Sequence, residues 1–158
     1  MPIILKIDYQ NRIEIPYLAS LLSALKPDAL PLWGKMKPQQ MVEHLVESVE
    51  YTNGKKITTC DRPPEEAAKS KQVMIYTDAP IPKNVILGPL PAHYLFPDLP
   101  AAINQLMIEL AVFDQYFKTP GITSIHSGFG PLNHAEWVIW HNKHFVHHFI
   151  QFGLIEGD

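Results

Sequence analysis

The stretch YTDAPIPKNVILGPLPAHYLFPDLP, from Tyr76 to Pro100, constrains the fold of this chain more than any other feature. It carries prolines at 80, 82, 89, 91, 97 and 100. Each proline removes a backbone donor and fixes φ, so neither a continuous helix nor a central strand can run through this segment. Regular structure must therefore be built from what lies on either side. Yet Ile81, Val85, Ile86, Leu87, Leu90, Tyr94, Leu95 and Phe96 make the stretch too apolar for a disordered linker. It reads as an ordered wrap over one end of whatever the flanks assemble.

The flanks read as helices. Residues 1 to 12 form a short lead, read as extended. IPYLASLLSAL, from Ile15 to Leu25, is apolar at helical spacing and is stopped by Pro27. A strong helix is predicted from Pro38 to Thr52, with Met41, Val42, Leu45 and Val49 on its apolar face and Asn53-Gly54 as its stop. PPEEAAKSKQVM, from Pro63 to Met74, predicts a shorter helix. Residues 99 to 118 predict another strong one, striped by Leu106, Leu110, Phe113 and Phe117 and ended by Pro120-Gly121. The last runs from about His134 to Phe152, opened by a capping box of Asn133 and Glu136 and closed by Gly153. The segment ITSIHSGFGPL before it reads as a glycine-rich connection with no convincing sheet. Four substantial helices imply an all-α fold, a four-helix bundle, with the long Pro-rich connection between the second and third of them. At 158 residues, 1–158 reads as a single domain.

Thirteen Lys and Arg against sixteen Asp and Glu leave a formal charge of -3. No basic cluster is present, so no nucleic-acid partner is expected, because phosphate neutralisation needs a basic face. No apolar run approaches the roughly 20 residues of a membrane span, so no membrane partner is expected. The opening MPIILKIDYQNR lacks the basic flank and long apolar core of a signal peptide. A lone cysteine, Cys60, precludes an internal disulfide and suits a reducing compartment. The expected location is cytoplasmic.

The chemistry in the chain sits in WVIWHNKHFVHHFIQFG. His141, His144 and His148 are spaced by three and four, which repeats one helix face from Trp137 to Gln151. Imidazole is the commonest nitrogen ligand for zinc, nickel and related metals. His144 and His148 can supply half a site. Of the remaining histidines only His44 lies in another strong helix, at the edge of its apolar face. His44, His144 and His148 are therefore the candidate metal ligands, a set of three that leaves positions open as catalytic sites do. His141 admits four readings: a fourth ligand, a partner of a ligand, a proton carrier, or a half-buried polar residue at the mouth of the bundle.

His147 points about 100° from His148 and reads as surface or interface. His126 reads as a loop residue and His134 as a first-turn residue. Gln151, one turn past His148, can hydrogen-bond a ligand imidazole. Glu47, one turn past His44, can orient a ligand, take a proton, or simply be solvated. Trp33 is expected to pack against the bundle and Trp137 to border the site.

Three segments, WGKMKPQQMVEHL, HSGFGPLNHAEW and KHFVHHFIQFG, together resemble the DinB-like metal-dependent superfamily. They are closest to a branch reading W-G-x-M and Q-M-x-x-H, then H-P-x-F-G and H-x-x-H-H-x-x-Q. Ser127 stands where that pattern has proline, which bears on the turn before the last helix. The resemblance implies a four-helix bundle, with a divalent metal on His44, His144 and His148 and Gln151 as the trailing glutamine. It also implies metal-dependent transfer of a low-molecular-weight thiol to an electrophile, or hydrolysis of a small substrate. The metal can activate water or stabilise a thiolate, and the residues alone do not choose between them. The alternative is a non-catalytic module that binds a metal or small molecule. Small bundles commonly pair through helices with C2 symmetry, which makes a homodimer the expected assembly.

Overall fold

The structure, a computed structural model, describes residues 15–83 and 89–156. The extended lead over residues 1–12, and Val85, Ile86 and Leu87 of the Pro-rich stretch, lie outside the described residues. Five helices and one hairpin are present among those described. They are α1 (Ile15–Ser23), α2 (Pro38–Glu50), α3 (Pro64–Tyr76), α4 (Leu99–Tyr116), β1 (Ser124–His126), β2 (Gly130–Leu132) and α5 (His134–Gln151). The chain is thus mostly helical with a small sheet.

Each helix begins and ends for a local reason. Lys37 donates its backbone N–H to the Gln40 side chain at the start of α2, and Pro38 occupies the first helical position, where no N–H is needed. Asp98 caps α4 by accepting from the Ala101 amide at 2.9 Å. The capping box expected for α5 is present: Glu136 N–H donates to Asn133 at 2.9 Å and Asn133 N–H to Glu136 at 3.0 Å. Gly153 follows α5 with φ +69°, the left-handed stop that glycine adopts at least cost. Gly54 has a second reason to be glycine. At φ +88°, a Cβ there would sit 2.9 Å from the Tyr116 ring, so α2 and α4 could not approach as they do.

One hydrophobic core takes side chains from all five helices and the hairpin. The predicted α2 face of Met41, Val42, Leu45 and Val49 is wholly buried, and it lies against the α4 stripe of Leu106, Leu110 and Phe113. Phe117, at the end of that stripe, is only partly buried. Leu18 and Leu22 of α1 complete the packing on α4. α5 contributes Val138, Phe145 and Phe149 and meets both α2 and α3. Burial of side chains this size contributes roughly 1.5–3 kcal/mol each before the entropy cost of ordering.

Two expectations need correction. The connection before α5 contains an antiparallel hairpin, in which Ser124 faces Leu132 and His126 faces Gly130. Its strands are three residues long, too short for alternation to show in the sequence. It is closed by the Gly128 amide donating to His126 Nδ1 at 2.9 Å and by Gly130 at φ +77°.

The Pro-rich stretch is held down differently from what its apolar content suggests. Leu90, Tyr94 and Leu95 face solvent, Leu95 at 71% exposure, and Phe96 is partly buried. The anchor is polar. The buried Glu43 carboxylate accepts the backbone amides of Leu95 and Phe96, while Gln39 Nε2 donates both to Glu43 and to the Phe96 carbonyl. A buried carboxylate persists where several donors replace its lost water.

Candidate metal centre

α2 and α5 cross so that His44 meets His144 and His148. The Nε2 atoms of His44 and His144 are 2.8 Å apart, and those of His148 and His144 are 3.1 Å apart. The three ligand atoms all lie within 4.8 Å of one another. His148 is buried and the other two are partly so.

The helical spacing of four puts His144 and His148 on one face of α5. The neighbouring turns of α5 carry Phe145 and Phe149, whose burial turns that face toward α2. His44 lies beside Leu45, on the edge of the buried side of α2, as its periodicity indicates.

Hydrogen bonding sets the proton on His148. Gln151 Nε2 donates to the Trp33 carbonyl at 3.0 Å, and a carbonyl can only accept. That orientation turns the Gln151 amide oxygen toward His148 Nδ1, 2.8 Å away. The oxygen also only accepts, so Nδ1 carries the proton and Nε2 is left with a lone pair aimed into the cluster.

Burial pushes all three imidazoles toward the neutral form. His148 falls to about 3, and His144 lies well below the usual histidine range, each chiefly from desolvation and further from its histidine neighbours. His44 is lowered by burial, against the opposing pull of Glu47. Neutral imidazole is the form that ligates metals.

Protons alone do not satisfy this arrangement. If His144 carries its proton on Nε2, it can donate to only one of its two neighbours. If it carries the proton on Nδ1, that N–H is buried with no hydrogen-bond partner, and its Nε2 lone pair faces that of His148. A cation among the nitrogens accounts for both close contacts, with the His144 proton then on its buried Nδ1. Nitrogens sharing one ion at about 2.0–2.1 Å stand roughly 2.8–3.4 Å apart for angles between right and tetrahedral. The observed 2.8 and 3.1 Å fall within that spacing. The three histidines can thus hold a metal ion.

The other candidates fall elsewhere. His141 is fully buried and stands outside the cluster. The Thr52 hydroxyl is 2.7 Å from the Val49 carbonyl, which it serves as donor, and 3.0 Å from His141 Nε2. His141 Nε2 is therefore the donor to Thr52. Its ring is stacked between Trp137 and Phe145, and burial drops its pKa to about 3. It is a core residue rather than one at the bundle mouth.

Trp137 accordingly does not border the cluster. It is buried, stacks on His141 and donates to the Ser124 carbonyl. The tryptophan facing the triad is Trp140, stacked on His144 with ring centroids 6.3 Å apart. Glu47 is exposed, and its charge reaches His44 only through space. His147 is half-buried and meets Trp33 edge-on, with ring centroids 5.3 Å apart. His126 is a strand residue, stacked on Phe129 at 3.9 Å. His134 is in the first turn of α5, against Phe113 and Phe117.

Sequence reasoning missed two contributors: Thr52 as the partner of His141, and the Trp33 carbonyl as the partner of Gln151. No local pattern marks the first. The Trp33-Gly34 pair was visible as a motif, but a backbone carbonyl leaves no trace in residue identity.

Comparison with known proteins finds no matching family model, no matching curated protein and no matching solved structure.

Proposed function

We propose that this chain is a DinB-like four-helix bundle, built from α1, α2, α4 and α5, whose His44, His144 and His148 hold one divalent ion, zinc or nickel. The packing of α1 on α4, α4 on α2 and α2 on α5 supports that arrangement, with α3 lying outside on α5 and the hairpin. The reading of the site rests on one observation above all: His148 Nε2 is left unprotonated by Gln151 and stands 3.1 Å from His144 Nε2, which is itself 2.8 Å from His44 Nε2.

The proposed activity is metal-dependent thiol transfer from a low-molecular-weight thiol to a small electrophile. A divalent ion with open positions supplies Lewis acidity, which favours the thiolate at neutral pH. The protein's part is to hold that ion with three neutral imidazoles, to orient His148 through Gln151, and to wall the site with Trp140. Thiol chemistry is favoured over hydrolysis because Glu47, one turn past His44, is exposed and acts on that ring only through its charge. A thiolate attacks without further base assistance, whereas hydrolysis gains from a positioned base.

The test is metal analysis of untagged protein together with thiol consumption in the presence of a reactive electrophile. About one ion per chain and thiol loss that chelation abolishes are expected. Metal without turnover of thiols, but with ester cleavage, would move the assignment to hydrolysis. Metal without either reaction would leave a binding module, and no metal uptake at all would refute the site.

A further inference from the structure

The loop that precedes α2 grips residue 151 at both ends. The Leu32 amide donates to the Gln151 carbonyl at 2.7 Å, and the Gln151 side-chain amide donates to the Trp33 carbonyl at 3.0 Å. The first contact satisfies a carbonyl in the last turn of α5, where no intrahelical donor remains. The second decides which end of the Gln151 amide faces His148. Gly34 keeps the space open: at φ +76°, a Cβ there would stand 3.2 Å from Gln151 Nε2. The Trp33 ring itself meets the His147 ring edge-on and has the Lys83 ammonium 4.6 Å above its centroid.

We infer that the Trp33 carbonyl is a positioning group for the proposed metal centre: acting through Gln151, it locks His148 in its Nδ1–H tautomer and keeps Nε2 available as a ligand. This rests on the metal reading above for its consequence, though not for its geometry. Without the Trp33 carbonyl, nothing would stop the amide from turning its NH₂ toward His148. His148 would then carry its proton on Nε2, facing His144, where it blocks ligation. The Trp33 loop therefore sets the affinity of histidines to which its side chains do not belong.

The first experiment reads the tautomer in metal-free protein, by long-range ¹H–¹⁵N correlation of the His148 ring at neutral pH. The second reads zinc affinity by competition with a chelator. Wild type is expected to show a protonated Nδ1 and a bare Nε2. Gln151→Leu is expected to show mixed tautomers and to bind zinc about 10–100-fold more weakly. Gln151→Glu still accepts from Nδ1 and should keep the tautomer.

Gly34→Ala displaces the Gln151 amide from outside α5. It should shift both readouts in the same direction, which provides the test if Gln151→Leu does not fold. Wild-type tautomer and affinity in both Gln151→Leu and Gly34→Ala would overturn the relay while leaving the metal site standing. The predicted tautomer in wild type with no zinc uptake would overturn the metal site while leaving the relay standing.

Discussion

The Nε2 atoms of His44 and His144, a hundred residues apart in the chain, stand 2.8 Å from each other. Two neutral imidazoles share at most one proton across such a gap, and His148 Nε2 stands 3.1 Å from the same His144 nitrogen. Neither helix forms this contact by itself. It exists because the α2 and α5 apolar faces pack into one core.

Removing a nitrogen from the cluster should remove the ion. His44→Ala and His148→Ala are expected to reduce metal content from about one per chain to background, since two imidazoles bind an ion far more weakly than three. His147→Ala should retain the ion, because that ring packs on Trp33 outside the cluster. Elemental analysis of the three variants checks this. Stoichiometric metal in a His144→Ala/His148→Ala double variant would contradict the site.

Acid should unfold the metal-free protein earlier than its carboxylates alone require. His141 has a folded-state pKa of about 3 and His126 of about 4, both depressed from 6.5 by burial. The unfolded chain therefore binds more protons between those limits. Stability that is complete above about pH 6.5 falls as pH drops toward 3, by up to about 1.4 kcal/mol per pH unit for a fully buried group. Urea midpoints between pH 7 and pH 4 should show this slope. His141→Leu, which leaves the Thr52 hydroxyl bonded to Val49, should flatten it.

Lys143 caps a helix that is not its own. Its ammonium donates to the carbonyls of Met74, Thr77 and Ala79 at 2.6, 2.8 and 2.8 Å, tying α5 to the end of α3. All three donors are used, and the cation lies at the negative end of the helix. Lys143→Met should destabilise the protein by roughly 1–3 kcal/mol, measured by chemical unfolding. Protection of the α3 amides should fall more than that of α4, whose cap is separate.

Glu43 should control the Pro-rich strap independently of the core. In Glu43→Ala the amides of Leu95 and Phe96 lose their acceptor. Hydrogen exchange at those two positions should rise by an order of magnitude or more, as expected for loss of about 1.4 kcal/mol or more of local protection. Unchanged exchange would mean that Phe96 packing, rather than the carboxylate, secures the strap.

Much of the helical layout was legible because helix formation is a local event. The boundaries of α2, α4 and α5 follow from Pro38, the Leu106–Leu110–Phe113 stripe, and the Asn133–Glu136 box with Gly153, and each acts within a turn or two of its own position. The three clustered histidines were legible for the same reason: spacing placed two on one face, and His44 marked the edge of another. The hairpin was not, since three-residue strands carry no readable period. The strap's anchor was also hidden, because Glu43 looks like any helix glutamate until the Leu95 and Phe96 amides arrive beside it.

Sequence by itself determined which faces of α2 and α5 carry apolar side chains and which turns carry imidazoles, because both depend only on the 3.6-residue period. Tertiary structure alone decided that His141 serves the core while His144 and His148 serve the cluster. All three lie on the same face, and what separates them is what α2 and the turn after it present opposite: the Thr52 hydroxyl against His141, and the His44 ring against the other two. It also decided the proton on His148, which follows from a Trp33 carbonyl 118 residues away from Gln151. Hydrogen-bond direction depends on where a backbone oxygen lies in space, and no residue identity encodes that position.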